Sequence, residues 1–191
     1  MSPFTSSHGP LQRDRAVLVL VDVQEKLFPL MQGSEDLLRR LTSLIAGFRL
    51  LSIPVIVTEQ NPSGLGPTIA PLRSSAGCAD VVTKTSFSCC GEPAFLEALR
   101  ETERDQIVLA GIETHICVAG TAIDLLTRGY DVSVVADAVS TRLPHTHPIG
   151  LQRMLGAGVV PRTVEGVLFR LVGRSDASEF KNLLQLVKEG D

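Results

Sequence analysis

The sequence predicts an α/β protein: a three-layer αβα sandwich around one central, mostly parallel sheet of six strands. Three observations carry this reading. Short β-branched runs alternate with longer stretches of helical period, as βαβ units require. The first such run, Ala16 to Val23, is almost continuously apolar, which fits a strand buried on both faces. No internal repeat, low-complexity tract or linker divides the 191 residues, so a single domain accounts for the chain from residue 16 to residue 191.

Taken in order, Met1 to Arg15 is polar and rich in Ser, Pro and Gly, and is expected to be a flexible arm. The first strand follows over Ala16 to Val23. Ser34 is placed to cap a helix that runs to about Leu51, with Leu37, Leu38, Leu41, Leu44, Ile45 and Phe48 on one face. Pro54 ends the connection, and Val55 to Thr58 is the second strand. Glu59 to Gly77 reads as one long Pro/Gly-rich loop, a length that is often functional. Val81 to Lys84 is the third strand, and Pro93 opens a helix ending near Glu103. Ile107 to Ala110 is the fourth strand. A helix carrying Ile116, Ala119, Ile123 and Leu126 on one side follows it and stops at Gly129. Val132 to Ala136 is the fifth strand, Pro148 to Ala157 a helix, and Val159 with Val160 a short sixth strand. Val164 to Val172 is apolar and short, and fits either a helix or a lid. A last helix is expected from about Asp176 to Lys188, after Ser175.

Composition narrows the function classes. A net charge of -3 provides no footprint for nucleic acid or an anionic membrane surface. No apolar stretch approaches the roughly 18 residues of a membrane span, and the arm lacks the apolar core of a secretory signal. The expected location is cytoplasmic, with mitochondrial import as the alternative because Arg13 and Arg15 lie in the arm. The four cysteines, Cys78, Cys89, Cys90 and Cys117, contain no C-x-x-C pair and no disulfide framework.

Ligands of open parallel sheets bind beyond the carboxyl ends of the strands. Asp22 closes the first strand, Lys84 closes the third, and Cys117 lies where the fourth strand hands over to its helix. A carboxylate, an ammonium and a thiol meeting there form a nucleophilic set. A helix N-terminus and a nearby cation are expected to lower the thiol pKa. Asp22 would take the thiol proton, and backbone N–H groups in the Glu113 to Cys117 turn would hold an oxyanion. Singly, each residue also fits a structural role: Cys117 as core, Asp22 as a turn cap, Lys84 as an ion-pair partner. His145 and His147 form a His-x-His without an evident third ligand.

The ordered set Val-Asp-Val-Gln (21–24), Lys-Thr-Ser-Phe-Ser (84–88) and Gly-Ile-Glu-Thr-His-Ile-Cys-Val (111–118) resembles the isochorismatase-like cysteine hydrolases. The loop from Thr58 to Thr68 resembles the isochorismatase domain-containing branch of that superfamily. The resemblance implies Asp22 as general base, Lys84 as electrostatic partner and Cys117 as nucleophile, with the Glu113 and Cys117 N–H groups as oxyanion donors. It also implies a cis peptide at Ile112–Glu113. The implied reaction is hydrolysis of a C–N bond in a small molecule through an acyl-enzyme, by a homo-oligomer and without a cofactor. Nicotinamidases of the superfamily carry an Asp-x-His metal set after the second strand. Here that stretch reads Thr58-Glu-Gln-Asn-Pro, so no metal site is expected. Gln24, Phe28, Glu59, Gln60, Phe87, Thr114 and Ile116 flank the three residues in sequence and are the candidates for substrate contact. Two other readings of the same residues are a catalytically silent oligomeric or regulatory protein and a thiol redox sensor using Cys117 with Cys89 or Cys90.

Overall fold

The computed structural model describes residues 9–77 and 79–190. Six strands form one sheet: β1 (Ala16–Val21), β2 (Val55–Gln60), β3 (Asp80–Lys84), β4 (Gln106–Ile112), β5 (Asp131–Ser140) and β6 (Val160–Arg162). Their order is β3-β2-β1-β4-β5-β6, and every pairing is parallel. Among the described residues, eight α-helices cover the faces: α1 (Ser34–Leu50), α2 (Pro62–Leu65), α3 (Ala70–Ala76), α4 (Pro93–Glu101), α5 (Ala119–Thr127), α6 (Thr146–Ala157), α7 (Val164–Val172) and α8 (Phe180–Gly190).

The two-residue period of a strand builds both cores at once. In β1, Ala16, Leu18 and Leu20 face one core while Val17, Val19 and Val21 face the other. The first core is closed by Leu41, Leu44 and Phe48 of α1, Leu72 of α3, Leu168 of α7 and Leu183 of α8. The second is closed by Phe95 and Leu99 of α4, Ala122 and Leu125 of α5 and Met154 of α6. The chain winds outward from β1 to β2 to β3, then returns to β4 on the far side of β1. The reversal of strand order therefore lies between β1 and β4, where such sheets open a crevice.

Several expected boundaries move. Glu59 to Gly77 is not one loop. Glu59 and Gln60 extend β2 by pairing with Thr83 and Lys84, and α2 and α3 follow. Pro62 and Pro71 sit in the first turns of these helices, where a missing N–H breaks no intrahelical bond. The residue before α1 is Gly33 at φ 61°, and Ser34 is the first helical residue rather than its cap. Val164 to Val172 is a helix, α7, whose start is capped by Thr163 Oγ1 accepting from Gly166 N–H at 3.1 Å and by Asp137 accepting from Val164 N–H at 3.0 Å. The last helix begins at Phe180 rather than near Asp176, and Arg174 and Asp176 pair within the turn before it. Of the expected arm, residues 1–8 lie outside the described residues, as does Cys78. Leu11 is buried in the first core, and Gln12 N–H donates to Gln106 Oε1 at 2.7 Å, so this part of the arm is docked rather than loose.

Candidate active site

The three residues meet at the β1/β4 crevice. Asp22 leaves β1 at φ 54°, a left-handed conformation that Asp tolerates better than most residues. Its N–H is tied to Thr58 O at 3.1 Å. Gly111 of β4 lies alongside, at φ 116°, and a Cβ there would stand 2.2 Å from Val21 O. Only glycine lets the two strands approach so closely at this point.

Lys84 reaches in from the end of β3. Its Nζ lies 2.6 Å from Asp22 Oδ2, with both side chains almost completely buried. The three N–H groups of the ammonium are matched by other acceptors: Gln60 Oε1 at 2.7 Å, Ser86 O at 3.1 Å and Phe87 O at 3.1 Å. The two oxygens of Asp22 therefore differ. Oδ1 accepts from Thr58 Oγ1 at 2.7 Å. Oδ2 is ion-paired with the Lys84 ammonium instead.

Cys117 lies in a single wide helical turn, Thr114–Val118, that precedes α5. Such turns recur at functional sites. The expected lowering of its pKa is overturned. Burial pushes the thiol up to about 12, the Asp22 charge and a hydrogen bond to Asp22 add to this, and Lys84 only partly opposes them. The physical reason is first the burial of the sulfur, and second that Lys84 arrives paired with Asp22, so its charge is opposed. Burial likewise raises Cys89, to about 11.

The peptide Ile112–Glu113 is cis. The Glu113 carboxylate turns away toward the segment after β5. It accepts from Arg142 N–H at 3.0 Å, Arg142 Nε at 2.9 Å and Thr141 Oγ1 at 3.0 Å. Burial would raise this carboxyl, yet those donors hold it below its ordinary value.

The flanking candidates separate into groups. Gln24 is fully buried, donating to Gln60 O and Gly66 O and accepting from Gln60 N–H, so it laces β1 to β2. Glu59 Oε1 accepts from Thr68 N–H and Oγ1, fastening the chain before α3. Gln60 holds Lys84 and donates to Thr85 O. Thr114 Oγ1 donates to Ser140 O and pairs with His147 Nδ1 at 3.0 Å. Phe28 belongs to the first core. These five side chains are engaged by the protein itself. Ile116 is half-buried, and Phe87 is 66 % exposed. Of His145 and His147, the latter meets Thr114, and burial lowers the pKa of its ring. Thr58, Thr141 and Arg142 do not stand out in the sequence. Only Thr58 leaves a signal there, as the first polar residue after the apolar run Val55 to Val57.

Fold and cluster together define an α/β protein of hydrolase type. The chain belongs to the isochorismatase family: the model of the isochorismatase domain matches residues 16–166. It is 38% identical over 179 residues to isochorismatase domain-containing protein 2 of Danio rerio, covering 94% of this chain and 90% of that one. A solved structure described as MAR1 ribonuclease from Caenorhabditis elegans superposes with a TM-score of 0.89 at 36% identity, covering 94% of this chain and 93% of that one. The YcaC gene product of Escherichia coli, described as an octameric hydrolase of unknown specificity, superposes with a TM-score of 0.90 at 25% identity over 100% of this chain and 93% of that one. Among the described residues no helix is long and apolar enough to cross a membrane.

Proposed function

We propose that this protein is a cysteine hydrolase that cleaves a C–N bond of a small amide or ureide through an acyl-enzyme on Cys117. The observation that carries the reading is the buried Asp22 carboxylate, which lies 2.6 Å from the Lys84 ammonium and takes a hydrogen bond from the Cys117 thiol. Cys117, pushed up to about 12, keeps its proton until reaction. The thiol is thus activated by a base during attack rather than stored as a thiolate.

In the first half-reaction, Sγ attacks the carbonyl carbon while its proton passes to Asp22 Oδ2. The oxyanion is held by the Glu113 and Cys117 backbone N–H groups, each worth roughly a hundred- to a thousandfold in rate. Collapse re-forms the carbonyl and breaks the C–N bond, and Asp22 returns the proton to the leaving nitrogen. In the second, water attacks the thioester, Asp22 takes its proton, the C–S bond breaks, and the sulfur recovers the proton as the acid departs. Lys84 compensates the Asp22 charge throughout, its N–H groups held by Gln60, Ser86 and Phe87. Phe87 and Ile116 are the flanking side chains left to meet substrate. Gln24, Phe28, Glu59, Gln60 and Thr114 shape the site from behind.

The C. elegans relative is described as a ribonuclease. For this chain, a net charge of -3 favours a small molecule over RNA. We read the active form as a homo-oligomer: Leu30, Phe87, Leu143 and Ile149, all 49 % or more exposed, lie on segments that follow β1, β3 and β5, and the E. coli relative is described as octameric. The test is a panel of small amides and ureides, with a short RNA oligonucleotide included and Cys117→Ala as the blank. At least one amide or ureide should be hydrolysed, with a loss of about a thousandfold or more in the blank. Hydrolysis of the same compound at full rate by Cys117→Ala would overturn the reading.

A further inference from the structure

We propose that Thr58 is a positioning residue for Asp22 and that Cys89, behind it, occupies the acceptor side of the Thr58 hydroxyl. The inference rests on the reading of Asp22 as the base for Cys117. Thr58 is fully buried near the end of β2, directly after Val55, Ile56 and Val57. A hydroxyl at such a place is costly unless both its donor and its acceptor sides are used. Here both are used. Thr58 Oγ1 donates to Asp22 Oδ1 at 2.7 Å, and Cys89 Sγ donates to Thr58 Oγ1 at 3.8 Å. The chain runs one way only, from thiol to hydroxyl to carboxylate. A carboxylate oxygen carries no proton, so the hydroxyl must give its own to Asp22.

Cys89 is itself held in place. Its N–H donates to Thr121 Oγ1 of α5 at 2.9 Å, and the neighbouring Ser88 Oγ donates to Asp124 Oδ2 of α5 at 2.6 Å. Burial raises the Cys89 thiol to about 11, so at neutral pH it keeps the proton that the chain requires. The result is a carboxylate whose two oxygens have separate tasks. Oδ1 is locked by β2 and by the segment bolted to α5. Oδ2 is thereby fixed beside Lys84, where the Cys117 proton is delivered. Cys89 on this account is a donor in the scaffold.

The test measures alkylation of Cys117 by acrylamide, resolved by peptide mass mapping, as a function of pH. It needs no knowledge of the substrate. Where Asp22 removes the thiol proton, the rate is nearly flat between about pH 6.5 and 8.5; where free thiolate alone reacts, it climbs about tenfold per pH unit below the thiol pKa. Wild type should be flat and Asp22→Asn steep. Thr58→Val, which keeps the shape and removes the donor, should fall about 10- to 100-fold at pH 7 and become steep. Thr58→Ser should restore the wild-type rate and slope. Cys89→Ala approaches the same chain from its other end, should slow Cys117 severalfold, and serves if Thr58→Val does not fold. Retention of the wild-type rate and slope in a folded Thr58→Val, or in Cys89→Ala where that is the only folded variant, would overturn the inference. So would failure of Thr58→Ser to recover. If these variants behave as expected while no amide or ureide is hydrolysed, the positioning stands and the hydrolase reading fails.

Discussion

Buried to about one per cent or less, the Lys84 and Asp22 side chains are each untenable as a lone charge and tolerable as a pair. Removing one partner should therefore cost more than removing both. Lys84→Met strands the Asp22 carboxylate and should lower unfolding stability by about 3–5 kcal/mol, read by urea denaturation. Adding Asp22→Asn to that variant should recover much of the loss, because no buried charge remains. An equal or larger loss in the double variant would mean that the pair is held for its hydrogen bonds rather than for its charges. Burial of the sulfur, with this pair beside it, explains why the thiol is raised rather than lowered. Lys84 acts on Cys117 only against the opposing Asp22 charge and the burial of the sulfur. Spacing in a sequence can suggest that three residues meet, but it does not reveal the sign of their combined field.

At the level of elements, the site depends on how closely β1 and β4 approach. Gly111 carries two independent constraints, a φ of 116° and a Cβ position 2.2 Å from Val21 O. Gly129 has φ 86° with open space around it. Gly129→Ala should cost about 1 kcal/mol, the backbone penalty alone. Gly111→Ala should cost well above that, about 3 kcal/mol or more, since main chain must move and carry Asp22 with it. Matching melting temperatures for the two variants would contradict this view of the junction. Strand and helix periods made the layers legible from the sequence, because apolar runs such as Ala16 to Val21 have few alternatives. The ends of elements were less legible. Glu59 and Gln60 read as loop, since their ladder partners Thr83 and Lys84 lie far along the chain. The wide turn holding Cys117 read as ordinary helix, since Ile116 and Ala119 keep helical spacing across it. Asp22, Lys84 and Cys117 could be picked out because each ends or follows a strand. Thr141 and Arg142 could not, because their importance comes only from what they touch, and Thr58 is marked only by its place after the apolar run Val55 to Val57.

For the whole molecule, titration sets a stability window. Burial raises Cys89 and Cys90 to about 11 and Cys117 to about 12, all from an ordinary 9.0. A thiol whose folded pKa is raised ionises first in the unfolded chain. Its contribution is thus complete below about 9 and is lost as pH climbs toward 12. Glu92, held by the Ser86 and Thr85 N–H groups, and Glu179, held by Ser178 and Arg13, are lowered from 4.5 to about 2. Their contribution is present above 4.5 and is lost as pH falls toward 2. Unfolding midpoints measured across pH should therefore form a plateau from about 5 to 8.5 with a decline on both sides. A midpoint still rising above pH 10 would contradict the burial of the thiols. The most direct measurement of the central claim is the mass of the Cys117 peptide from enzyme quenched in acid during turnover of a hydrolysed amide. The account predicts an increment equal to the acyl group on Cys117, absent from Cys89 and Cys90 and absent in Asp22→Asn. Turnover at full rate with every cysteine peptide unmodified, or by Cys117→Ala, would contradict it.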